Sequence, residues 1–157
     1  MIQSHLRSLI GLALALPVAF TCVYAQQPHV NEPDPKALAF KLPADIKWSN
    51  GTTSQSAVLY GDPTKEGLYV MLNKWLPHNN SRPHFHPNDR AIYVIKGTWY
   101  VGTGAKYDPE GMKPMPQGTY VTHFGKEVHY DGAKDEECIL EIVGMGPATS
   151  TQVTQQQ

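Results

Sequence analysis

The stretch Arg82-Pro83-His84-Phe85-His86-Pro87-Asn88-Asp89-Arg90 decides how this chain is read. In an extended strand, residues i and i+2 point to one face, so His84 and His86 aim two imidazoles at the same point while Phe85 takes the other face. Two neutral imidazoles so placed are a ready chelate for Fe, Zn, Mn, Ni or Cu. Taken alone, a His-x-His pair is more simply two surface histidines. A third histidine, His129, lies near the end of a later turn-and-strand unit and strengthens the metal-binding reading.

On either side of this stretch the chain is a series of short β-like runs cut by turns. Ser56 to Tyr60 is one, followed by Gly61-Asp62-Pro63, and Leu68 to Leu76 is another. Ala91 to Lys96 ends at Gly97, and Thr98 to Val101 follows it, which predicts a tight turn at Lys96-Gly97. Thr119 to Phe124, Val128 to Asp131 and Cys138 to Val143 complete the set. Gly and Pro number 13 each, and no long stretch has helical period. Strands at this spacing with Gly/Pro turns predict an all-β sandwich or small barrel. The longest irregular stretch, Gly104 to Met115, is expected to ride over one end of it.

The wider spacing resembles the cupin family. Its first motif has His-x-His, three or four residues, a Glu, six residues and a Gly. Here His84-x-His86 is followed by three residues, Arg90, six residues and Gly97. The second motif has Pro-x-Gly, a strand, and a turn ending in His. Here Pro116-Gln117-Gly118 leads through Thr119 to Phe124 and Gly125-Lys126 to His129. The resemblance spans about Glu66 to Met145. It implies a double-stranded β-helix, the cupin jelly-roll barrel, with one metal at its centre and His84, His86 and His129 as ligands.

Arg90 departs from that pattern. It stands in the register of the family's Glu ligand, yet a guanidinium stays protonated and offers no lone pair to a metal. A facial three-histidine site is the first expectation. It resembles the Fe(II) centres of β-diketone-cleaving and thiol-oxidising dioxygenases. The others are Asp89 swinging in as a carboxylate ligand, and a metal-free barrel acting as a binding module. Arg90 itself has two readings of equal weight: a clamp on an anionic substrate, or an outward ion pair with Asp89, Glu127 or another acid. His123 is a candidate fourth ligand or acid–base group, although a satisfied core or rim histidine is the simpler reading. His78 sits in a turn and reads as a surface residue. Tyr130 and Asp131 are candidates to hold the histidine rings in place. Trp75, Trp99, Tyr93 and Tyr100 read as core packing.

Composition narrows the rest. Charged residues are 17% of the 157 and hydrophobic ones 41%, enough for a core in a single domain. The formal net charge of -1 gives no basic excess to recruit nucleic acid or an anionic membrane. There is no Walker loop, Ser-nucleophile elbow or HExxH, and Gly102-x-Gly104 lacks the third Gly of a dinucleotide fingerprint. Residues 1–25 read as a secretory signal: Arg7 and no acid at the start, the apolar run Leu9 to Phe20, then small residues at Val23 and Ala25. The run is too short for a membrane span, which takes ~20 residues. Cys22 follows a poor lipobox, with Phe20 where a small residue is wanted, and leaves with the signal. Cys138 then remains as the one thiol, without a disulfide partner and in an apolar run where nothing lowers its pKa.

The expected organisation is therefore a signal peptide over 1–25, a lead-in over 26–45, a barrel over 46–150 and a disordered tail over 151–157. The expected function is that of a secreted or periplasmic metal-binding protein. The first form is a non-haem oxygenase acting on a small organic anion or diketone. The alternatives are a non-catalytic small-molecule or metal-binding module, and a metal-dependent lyase or isomerase. The cofactor is one divalent transition metal, iron for an oxygenase and otherwise Zn, Mn, Ni or Cu. The ligand is a small anion; no nucleic acid, and no membrane once the signal is cut, is expected, and a homodimer is left open.

Overall fold

The computed structural model describes residues 30–154. The signal segment, its cleavage site and Cys22 lie outside the described residues. Residues 30–39 belong to a first unit with one turn, in which Asp34 accepts from the backbone N–H of Lys36 (2.9 Å) and its carbonyl from that of Ala37 (2.9 Å). The second unit begins at Phe40. Phe40–Asp45, placed with the lead-in by sequence, goes with the barrel, and Lys41 Nζ donates to the carbonyls of Val58 and Leu59.

Among the described residues eleven strands follow one another. They are β1 (Ser54–Tyr60), β2 (Gly67–Trp75), β3 (Asn79–Asn80), β4 (His84–Phe85), β5 (Arg90–Lys96), β6 (Thr98–Thr103), β7 (Lys113–Pro116), β8 (Tyr120–His123), β9 (His129–Ala133), β10 (Cys138–Gly146) and β11 (Thr151–Gln152). They form two antiparallel sheets, β1-β2-β10-β5-β8 and β11-β4-β9-β6-β7, with β3 added to β9. This is the all-β jelly-roll expected from the sequence. Alternation drives it. In β10, Cys138, Leu140 and Ile142 are buried while the residues between them are not. In β5, Ile92 and Val94 do the same. These join Tyr69, Trp75, Trp99 and Val101 in one core between the sheets. Each fully buried Ile, Leu or Val contributes ~1.5–3 kcal/mol. Arg90 shares the parity of Ile92 and Val94, so its side chain is directed inward as well.

Three expectations differ from the fold. Lys96-Gly97 is not a hairpin turn: β5 pairs with β10 and β8, β6 with β7 and β9, and Gly97 is the corner between the sheets. Its φ of +71° and the Glu137 carbonyl, which a Cβ would overlap, explain the glycine. The tail is ordered at its start, because Thr151 and Gln152 find partners in Phe85 and His84. Tyr93 is 45% exposed on the outer face, since its neighbours Ile92 and Val94 take the inner one. The stretch from Gly104 carries β7 at its end. Before that, Tyr107 packs on Tyr130, bonds Asn80 and lies under the Arg82 guanidinium.

Candidate metal centre

Cross-strand register brings the histidines together. His84 on β4 is the direct partner of His129 on β9, and His86 follows two residues on. The segment after His86 is tied to the turn before His129. Lys126 N–H donates to the His86 carbonyl (2.7 Å) and Gly125 N–H to Asp89 Oδ1 (2.7 Å). The two motif halves thus close on one point. Ring centroids are 4.5 Å apart for His84 and His129, 4.9 Å for His84 and His86, and 5.3 Å for His86 and His129. One ligand nitrogen from each lies within 4.8 Å of the other two. All three residues are at most 9% exposed.

The backbone decides which nitrogen each ring presents. His84 Nδ1 is 2.8 Å from the Arg82 carbonyl, His86 Nδ1 2.8 Å from that of Thr149, and His129 Nδ1 3.1 Å from that of Glu127. A carbonyl only accepts, so each Nδ1 carries the proton and each Nε2 keeps its lone pair. Burial first, then the Arg90 charge, pulls His86 down to about 4. Burial pulls His129 to about 4 against the opposing pull of Asp131. Neutral rings with lone pairs turned inward are what a metal needs. Two further facts fit a cation there: His84 Nε2 and His86 Nε2 face each other at 3.1 Å, and His129 Nε2 is buried without a partner. The three-histidine cluster is a candidate site for one divalent metal.

The opposite wall comes from the first sheet. Tyr69, Gly144, Arg90 and His123 form one cross-strand row over β2, β10, β5 and β8. A Cβ at Gly144 would lie 2.7 Å from the Tyr69 hydroxyl, so the glycine lets that ring turn toward Arg90. Arg90 donates a terminal N–H to His123 Nδ1 at 3.0 Å, while its own Nε and His123 Nε2 are buried without partners. Burial lowers the Arg90 pKa, and the Tyr69 and Asp131 charges counter it. Burial, then His129 and Arg90, pulls His123 to about 2, so it is neutral. Its ring lies 3.9 Å from that of His129 and 5.3 Å from that of Trp99. Arg90 makes no outward pair with Asp89 or Glu127. Asp89, exposed and bonded to Gly125, stands apart from the three-histidine group.

Sequence reasoning missed how Asp131 is held. It accepts from Trp75 Nε1 (3.1 Å) and Trp99 Nε1 (2.9 Å) on one oxygen and from Ser81 Oγ (3.0 Å) on the other. It bonds none of the three ligand rings; backbone carbonyls do that instead. The Trp75 and Trp99 rings pack in the core as expected, yet their N–H groups serve this buried carboxylate. Tyr130 bonds Asp108 across the covering loop. His78 is exposed in its turn, as expected. A cavity of about 210 Å³ opens between the walls, lined by His84, His86, Arg90 and Asp131 and by Ser150 and Gln152 of the C-terminal segment.

No family model and no curated protein matches the sequence. Solved structures do match its fold. The polyketide cyclase RemF from Streptomyces resistomycificus superposes with a TM-score of 0.64 at 16% identity, over 76% of this chain and 88% of that one. A cupin-2 domain from Rhodospirillum rubrum gives 0.57 at 14% identity, over 75% and 81%. A structure of DMSP lyases gives 0.55 at 13% identity, over 70% and 63%. The likeness is one of fold: the double-stranded β-helix of the cupins. No helix among the described residues is long and apolar enough to cross a membrane.

Proposed function

We propose that this cupin-fold barrel is an exported metal-dependent enzyme acting on a small organic anion, a carboxylate or an enolate. The observation that carries the reading is the shared cavity: His84 and His86, whose Nε2 lone pairs turn inward, line the same 210 Å³ space as the Arg90 guanidinium. His84, His86 and His129 would hold the metal, which supplies a Lewis acid and open positions for substrate. Arg90 binds and orients the anion. A charged donor in a buried wall suits negative charge far better than a neutral ligand. The volume lies below the ~300–1,000 Å³ of drug-sized pockets, so the substrate is small. Residues 1–25 are the export signal in this reading, with Gln26 the mature N-terminus.

Of the reaction classes open to such a site, we favour lyase, isomerase or cyclase chemistry. Among the cupin-fold likenesses are a polyketide cyclase and DMSP lyases. One observation favours an oxygenase: three neutral nitrogens with no carboxylate make the all-histidine set that cupin dioxygenases use for iron. Metal analysis of protein purified from its native compartment, with oxygen uptake on β-diketones and β-keto acids, separates the two. Iron with oxygen consumption selects the oxygenase; zinc or manganese with none selects the lyase class. Arg90→Ala is expected to keep the metal and to weaken malonate binding about tenfold to hundredfold, the equivalent of ~1.5–3 kcal/mol. Unchanged malonate affinity, or wild-type protein that takes up no metal, would end this reading.

A further inference from the structure

Arg90 and His123 face each other across β5 and β8, joined at 3.0 Å from a terminal guanidinium nitrogen to Nδ1. A guanidinium has five N–H groups and no lone pair, so His123 Nδ1 can only be the acceptor. A neutral imidazole accepting at Nδ1 carries its proton at Nε2. His123 is therefore in the opposite tautomer to His84, His86 and His129, which donate at Nδ1 and keep lone pairs at Nε2. Its Nε2–H is buried and unpartnered, and so is the Nε–H of Arg90. Buried donors without partners are rare, and each such group calls for an explanation. Here two occur on bonded residues, with the His123 ring 3.9 Å from that of His129 and the Arg90 side chain in the cavity wall with His84 and His86.

We propose that His123 is a substrate-binding residue: an N–H donor, locked in its tautomer by Arg90, that holds an anionic oxygen of the substrate beside the three histidines. It is not a fourth metal ligand, because the nitrogen turned away from Arg90 has no lone pair. The ligand chemistry is a carboxylate or enolate oxygen, which accepts from the Nε2–H of His123 and from Arg90. Two donors favour an oxygen with lone pairs and negative charge over an amine or a hydrocarbon. Tyr69 and Gly144 complete the row on the far side of Arg90 and help fix its direction. The assignment rests on the anion reading above for its ligand, whereas the tautomer stands on the Arg90 bond alone.

Long-range proton–nitrogen NMR on the zinc-treated full chain reads the tautomer directly. An Nε2–H imidazole with a bare Nδ1 is expected, and its signals should vanish in His123→Phe. That variant keeps an aromatic ring against Trp99, so the wall should stay packed. It should still bind one zinc per chain but bind malonate about tenfold to hundredfold more weakly. His123→Gln, which restores an N–H donor, should recover part of the loss. Loss of zinc in His123→Phe, malonate affinity equal to wild type, or an Nδ1–H tautomer in the wild type would each overturn the proposal. Wild-type protein that binds neither zinc nor malonate would instead overturn the reading of the preceding subsection, and the proposal's ligand with it, while the NMR result still decides the tautomer.

Discussion

Four buried imidazoles stand within one small volume, and what separates them is which nitrogen holds the proton. Three were legible as a group from the His-x-His spacing and the later turn. Their tautomers were not, because the deciding carbonyls belong to Arg82, Glu127 and Thr149, the last 63 residues from His86. The Arg90 register was legible, whereas its direction needed the parity of β5. Asp131 was the least legible, since an indole buried in a core looks the same in sequence whether or not its N–H has a task. Its role predicts a large stability effect. Asp131→Ala leaves the Trp75 and Trp99 N–H groups buried without their acceptor, while the half-buried Ser81 hydroxyl keeps the backbone carbonyl of residue 131 at 3.3 Å. At ~1–3 kcal/mol for each of the two orphaned indole groups, the variant should lose roughly 2–6 kcal/mol in urea unfolding. A loss under about 0.5 kcal/mol would mean that water replaces the carboxylate at no cost.

At the scale of elements, the long strands were readable and the short ones were not. β2, β5 and β10 are apolar-rich runs of seven to nine residues, and β10 alternates buried and less buried positions along its whole length. β3, β4 and β11 have two residues each, too few for a period, and exist only because a neighbouring strand offers hydrogen bonds. The corner at Gly97 illustrates a different limit. A strand, a glycine and a second strand read alike whether the chain folds back on itself or passes to another sheet. Only the partners of β5 and β6 tell them apart. Since the corner requires a left-handed residue against the Glu137 carbonyl, Gly97→Ala should be strained twice, by φ and by contact. A cost of roughly 1–3 kcal/mol follows, seen as a fall of several degrees in Tm. A melting curve that overlays the wild type would show that the corner can adopt another path.

Over the whole barrel the two sheets divide the work. The sheet of β4 and β9 carries the three lone-pair nitrogens, the sheet of β2, β5 and β8 carries Tyr69, Arg90 and His123, and the cavity opens where His84 and His86 of the one face Arg90 of the other. The C-terminal segment closes this arrangement, although its Gln-rich composition reads as a frayed end. Thr149 offers the carbonyl that orients His86, Ser150 and Gln152 line the cavity, and β11 pairs with β4 beside His84. Ala148 N–H donates to the Pro63 carbonyl (2.7 Å) and Val153 N–H to that of Pro83 (2.9 Å), pinning the segment at both ends. Deleting residues 148–157 therefore removes none of the three histidines and leaves β10 whole, yet it takes away the partner of His86 Nδ1. Loss of such a partner weakens metal binding by about tenfold to hundredfold. Zinc titration against a competing chelator should show that drop in the truncated chain, with its far-ultraviolet circular dichroism still that of a β protein. Deleting residues 155–157 alone should leave zinc affinity unchanged. Equal affinity in both truncations would mean that His86 is oriented without Thr149, and that the segment's place in the cavity wall is incidental to the metal.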